Sequence, residues 1–226
     1  MIIIPQRKNY RIPLFCVVTF LYWASLYTYT PILTAYIESL GATHKMAGII
    51  VGSYGLVQML LRIPIGIISD KTRKHKLFIS IGLSFSLFSV LGLLAFKDIT
   101  LVLISRSAAG IAAATWVDFT VLFSSYFKHE EASQAMGKIS FYNAMGQTTA
   151  MLTGSYAADV FGWEAPFILG AVIAAAGIIL SFFIIDRADA DIPKQRGKFT
   201  EVATDKTLIT VSFYGNIRSL HGSHRM

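Results

Sequence analysis

Six long apolar runs alternate with short polar connections along this chain, at residues 14–35, 46–68, 77–96, 101–127, 139–160 and 165–185. Each is close to the roughly twenty residues that an α-helix needs to cross a hydrocarbon core of about 30 Å. Between residues 77 and 127 the only charged side chains are Lys97, Asp98, Arg106 and Asp118. Membrane-spanning β-strands alternate in polarity and are about 9–11 residues long, so a barrel does not fit. The pattern predicts an all-α membrane protein with six transmembrane helices over residues 14–185, flanked by an N-terminus (1–13) and a polar tail (186–226). The first run follows Arg7, Lys8 and Arg11, as the apolar core of a signal peptide does. It continues through Tyr22, Trp23, Tyr27 and Tyr29 to residue 35, beyond the about 7–15 residues of such a core, and is read as an uncleaved helix.

Composition agrees. Of 226 residues 54% are hydrophobic and 15% charged, with a mean hydropathy of +0.57. That excludes disorder and leaves too little charge to cover a soluble domain. The net charge of +7 is explained by its placement rather than by a nucleic-acid partner. The N-terminus, the second-to-third and fourth-to-fifth connections and the tail carry nearly all the Lys and Arg of these segments, whereas the other loops carry Lys45 and Lys97. The positive-inside rule then places both termini in the cytoplasm and the chain, multi-pass, in a plasma (inner) membrane. Cys16 is the only cysteine. It reads as a buried, inert thiol that forms no internal disulfide.

Polar groups inside a span are expensive, so each is a lead. Arg106 lies in the fourth helix with Gly110 and Ala113 on the same face; it either snorkels to the interface or faces a polar cavity that Gly110 lets a neighbour approach. Asp118, about 120° around the same helix, is the best candidate for a proton or cation site, or else pairs with Arg62 or another helix. In the second helix Tyr54, Gln58, Arg62, Gly66 and Asp70 recur every four residues. In the fifth, Asn143 and Gln147 either contact substrate or bond a neighbouring helix. Small residues at 107–115 and 171–177 read as close packing. Enzyme signatures are missing: there is no nucleophile elbow, phosphate-binding loop or zinc helix at His129-Glu130, and every histidine falls in a predicted loop or the tail. Neither a cofactor nor a metal is expected.

Residues 66–76, GIISDKTRKHK, follow the second helix. They resemble the signature G-x-x-x-D-[RK]-x-G-[RK]-[RK] of the major facilitator superfamily (MFS), matched at Gly66, Asp70, Lys71 and Lys74, with Arg73 at the second glycine and His75 at a base. Arg106 and Gly110 resemble the family's R-x-x-x-G motif, and FGWEAPF at 161–167 resembles its fifth-to-sixth loop with Glu164 for an arginine. Gly146 and Gly154 fit an antiporter motif in helix five from which Ala150, Met151 and Ser155 depart. Ser125 stands where members often have an acid.

The resemblance implies two three-helix repeats, helices 1–3 and 4–6, forming an MFS-like half-bundle. It implies a permease that moves a small solute, by uptake or efflux, through alternating access coupled to H+ or a solute gradient. Gly66, Asp70, Lys71, Arg73 and Lys74 then form the cytoplasmic gate, and Arg106, Asp118, Asn143 and Gln147 line the pathway. Gly110, Gly146 and Gly154 serve helix packing. Family transporters have two such halves, so the expectation is a truncated N-terminal half whose residues 207–217 begin an aborted seventh helix. The competing expectations are a protomer that pairs with itself or a second half, and a membrane fragment that transports nothing. Lipid is the other partner.

Overall fold

Helices account for the regular structure in the computed structural model, which describes residues 10–185. The polar tail, including the apolar stretch at 207–217, and residues 1–9 lie outside the described residues. There are eight α-helices among the described residues: α1 (Arg11–Tyr27), α2 (Leu33–Ser39), α3 (His44–Thr72), α4 (His75–Ala95), α5 (Ile99–Ala114), α6 (Trp116–Ser124), α7 (Ala132–Phe161) and α8 (Ala165–Ser181). They make six rods, because α1 runs into α2 and α5 into α6.

Local chemistry places these ends. The Thr43 side chain accepts a hydrogen bond from the Met46 amide at 3.3 Å and opens α3. The Asp98 carboxylate accepts from Thr100 and Leu101 amides at 2.9 and 3.1 Å and opens α5, satisfying donors that the first turn leaves orphaned. The first and fourth predicted helices are each interrupted, which the apolar pattern did not show. The first bends at a short 3-10 turn, Thr30–Ile32, that holds Pro31, whose ring cannot continue the preceding hydrogen-bond ladder. The fourth breaks at Thr115. There the Ala112 carbonyl accepts the Thr115 amide and hydroxyl, each at 2.9 Å, and also the Tyr22 hydroxyl from α1. The sixth helix ends at Ser181 rather than 185.

Four rods are long and apolar enough to cross a membrane: Arg11–Ser39, His44–Thr72, His75–Ala95 and Ile99–Ser124. α7 has 30 residues but carries Asn143, Gln147 and several threonines; α8 is apolar with 17 residues.

The packing pattern is a repeat. α1 lies along α7 and α8, α5 lies along α3 and α4, and α4 meets α8. Exchanging the first rod with the fourth, the second with the fifth and the third with the sixth maps these main pairs onto one another. Two three-helix repeats therefore interlock, the first rod of each wedged against the second and third of the other. α3 and α7 are left at the rims, with Leu56, Met59, Leu60 and Ile63 of α3 and Phe141, Leu152 and Tyr156 of α7 exposed.

Two buried clusters fill the bundle. Near the Lys-rich end Phe15, Tyr22, Phe119 and Phe123 interlock, with Tyr22 and Phe119 rings 4.5 Å apart. At the opposite end Tyr29, Tyr36, Val90, Leu93 and Phe167 do so. There Lys97 lies 5.7 Å from the Tyr36 ring centre and 3.5 Å from Glu164. Tyr36 first, and then Glu164, holds the Lys97 ammonium above its ordinary pKa. Glu164, the departure from the family's loop motif, thus pairs the α4–α5 and α7–α8 connections.

α3 stops at Arg73, which is left-handed at φ 54 and donates its amide to the Ser69 carbonyl at 2.7 Å. A residue with a Cβ is strained there by about 1 kcal/mol, and the motif this turn resembles has glycine at that position. Arg73→Gly should stabilise the purified protein by about 1 kcal/mol. Thermal unfolding in detergent checks it: an unchanged or lower midpoint would remove the strain argument.

Candidate functional site

Arg106 is built into the middle of the bundle. It lies seven residues after the start of α5, about 10 Å along the helix at 1.5 Å per residue. Its side chain is 4% exposed, so it does not snorkel to the interface. It points between the bend of the first rod and α3: one terminal nitrogen donates to the Tyr29 hydroxyl at 3.2 Å. The guanidinium carbon lies 4.5 Å from the Tyr54 ring centre and 5.6 Å from that of Tyr29. Gly110, one turn on, makes this possible. A Cβ there would meet the Tyr54 carbonyl at 2.6 Å and Val57 Cβ at 2.9 Å, so glycine lets α5 come against α3 backbone to side chain.

The charge is incompletely answered. Arg106 Nε is buried without a hydrogen-bond partner. The ion pairs among the described residues are His44–Glu38, His75–Asp118 and Lys97–Glu164, none of which includes Arg106. A cation over an aromatic face gains about 2 kcal/mol when desolvated. Burying an ion costs several kcal/mol even after relaxation. Two tyrosine rings and one hydroxyl therefore offset that cost only in part.

The other polar positions divide. Gln58 is half-buried one turn beyond Tyr54, and Arg62 is exposed. Asn143 and Gln147 are half-buried on α7, and the Gln147 amide donates to the Asn143 side-chain oxygen. They bond each other rather than a neighbouring helix. Gly146, between them in sequence, faces α1, where a Cβ would meet the Phe20 carbonyl at 2.6 Å.

Asp118 stands elsewhere. It is fully buried, and its Oδ1 lies 2.9 Å from His75 Nδ1. Its partner is thus His75 of α4, not the exposed Arg62. Like Arg106 it is buried, whereas Tyr54, Gln58, Asn143 and Gln147 are half-buried. Sequence spacing put Arg106 and Asp118 about 120° apart, and the break at Thr115 does not bring them together. Asp118 also answers the departure at Ser125, whose hydroxyl donates to the Leu122 carbonyl at 2.7 Å. The acid of the fourth rod is two turns deeper, and it meets His75, which occupies a base position of the motif.

The turn between α3 and α4 is exposed. Asp70, Lys71, Arg73 and Lys74 all reach the surface and make no ion pair among the described residues. Gly66 is half-buried, and a Cβ there would meet the Val117 methyls at 3.7 Å, ordinary contact. Close packing at Gly66 is therefore not required by the described residues.

Comparison with known proteins decides the family. The sequence profile described as Major Facilitator Superfamily matches residues 15–221. This chain belongs to the major facilitator superfamily. Among curated MFS relatives, the inner membrane transport protein YajR of Escherichia coli K12 is 28% identical over 200 residues, covering 84% of this chain and 42% of that protein. The multi-drug resistance efflux pump PmrA of Streptococcus pneumoniae is 26% identical over 218 residues, covering 94% of this chain and 51% of that one. A crystal structure of a bacterial homologue of the human lysosomal transporter Spinster, inward-facing and unoccupied, superposes with a TM-score of 0.60 at 19% identity, over 78% of this chain and 43% of that chain. That last likeness concerns the fold. The chain spans about half the length of the curated relatives it matches. It is an integral membrane protein of the MFS, built as an all-α half-bundle.

Two residues of the site escaped sequence reading. Tyr29 stood only as one of several aromatics in the first run, and His75, placed at a base position of the signature, was not linked to Asp118. Nothing in a one-dimensional pattern says which aromatic meets which cation, because Tyr29 and Arg106 are 77 positions apart.

Proposed function

We propose that this chain serves secondary transport, moving a small solute by alternating access, with Arg106 as the residue that faces the solute. The observation that carries the reading is a buried guanidinium, held by Tyr29 and Tyr54, with no carboxylate among the described residues. Such intramembrane charges are conserved for function rather than stability as a rule of membrane proteins, and the chain's family supports the same direction. In this reading Gln58, Asn143 and Gln147 border the route. The exposed turn at Asp70, Lys71, Arg73 and Lys74, with Gly66 beside it, is the cytoplasmic gate. It meets its counterpart on a second half, or on a second copy of the chain. Both termini face the cytoplasm, and the driving force is an H+ or solute gradient. Catalysis forms no part of the reading.

A second reading rests on a separate observation. The chain covers about half of its relatives, and α3 and α7 expose much of their length. A subunit that inserts and folds but transports only with a partner fits both facts.

Reconstitution separates the two. In proteoliposomes with an imposed proton gradient, the transport reading expects saturable accumulation of at least one solute class above empty vesicles. That flux should fall more than tenfold in Arg106→Gln. Correct insertion and helicity without flux in any class would overturn transport by the chain alone and favour the subunit reading.

A further inference from the structure

We propose that the Arg106 site takes the anionic group of an organic carboxylate or phosphate, so that the solute is an organic anion; this rests on the transport reading and narrows it. Arginine cannot relieve burial by releasing its proton, as lysine or histidine can. Its charge therefore persists and must be met. Within the described residues it is met by one hydroxyl and two ring faces. Its Nε, the edge nitrogen from which carboxylates and phosphates accept in two-pronged pairs, is buried and unpartnered.

The carboxylates of the described residues are committed or distant in kind. Asp118 is the one that is buried, and it bonds His75. Glu38 pairs with His44, Glu164 with Lys97, and Asp98 caps α5. Asp70, Glu130, Glu131 and Asp159 are exposed. The site is thus a fixed positive charge in a low-dielectric interior, where a complementary charge interacts far more strongly than in water. Tyr54 covers the guanidinium on one side. It is only half-buried on the rim rod α3, whereas Tyr29 is fully buried. Gln58 offers an amide one turn along the same rod.

The test is binding to the purified chain in phosphatidylcholine nanodiscs, which supply no anionic lipid. Four probes of one shape are titrated: benzoate, phenyl phosphate, benzamide and benzylamine. Benzoate or phenyl phosphate should bind at least tenfold more tightly than benzamide and benzylamine, and the stronger of the two says whether carboxylate or phosphate is the better fit. Arg106→Gln should remove that preference, and Arg106→Lys should keep part of it. If Arg106→Gln does not fold, the charge ladder on the unaltered protein still decides. Equal binding of all four probes, or a preference for benzylamine, overturns the inference, as does an anion preference that survives Arg106→Gln. The readout needs no flux. A chain that binds benzoate through Arg106 but moves nothing keeps this inference and refutes transport by itself. Flux of a neutral or cationic solute without anion binding does the reverse.

Discussion

Replacing His75 by alanine should destabilise the protein by about 1–3 kcal/mol, the usual cost of leaving a buried polar group without its hydrogen-bond partner. Asp118 is wholly inside the bundle, while the His75 side chain is 13% exposed at the first turn of α4. Asp118 Oδ1 has the 2.9 Å contact with His75, and Oδ2 has no partner at all. Without the imidazole, the carboxylate keeps its desolvation cost and loses its principal polar contact. Asp118→Asn alone should be milder, because the amide keeps the shape of the side chain and an oxygen or nitrogen within reach of the imidazole. The double variant His75→Ala/Asp118→Asn should be more stable than His75→Ala, a non-additivity above about 1 kcal/mol for side chains in contact. Denaturant or thermal unfolding in detergent measures this cycle. Additive effects, or a His75→Ala protein as stable as the parent, would show that the pair does not hold the third and fourth rods together.

The second large effect is expected at Gly154. A Cβ there would run into the Thr28 carbonyl oxygen of α1, and a neighbouring backbone cannot rotate away as a side-chain tip can. α1 and α7 form one of the main interfaces of the bundle. Gly154→Val should cost about 1–3 kcal/mol through overpacking, with α7 pushed outward from α1. Gly137, on the same rod, meets nothing within 4 Å and provides the control: Gly137→Ala should raise the unfolding midpoint slightly, since alanine is favoured over glycine in a helix interior by about 0.5–1 kcal/mol. A Gly154→Val protein that unfolds with the parent would mean that the two rods do not approach this closely.

How much of this was legible beforehand depends on the distance over which each feature is decided. Helix ends at Thr43 and Asp98 are local, since a side-chain oxygen caps an amide two or three residues on. The rods follow from runs of apolar residues. The glycines at 110, 146 and 154 were read as packing positions from motif likeness, but the backbone atoms opposite them, Tyr54, Phe20 and Thr28, belong to other rods. The break at Thr115 was invisible because part of its cause, the Tyr22 hydroxyl on the Ala112 carbonyl, lies 90 residues away. The partner of Asp118, His75, was out of reach for a related reason. Helical spacing gives the angle between two side chains but not which neighbour stands on either side.

By itself the sequence determined a helical membrane protein, the order of its rods, the Lys-rich end and the family, because hydrophobic length, charge bias and short motifs are written along the chain. Only the tertiary structure decided that Arg106 faces two tyrosines with no carboxylate beside it among the described residues and that Asp118 turns to His75. Which charge is compensated in a low-dielectric interior depends on side chains brought within a few ångströms from different rods, and that proximity exists only once the rods have packed.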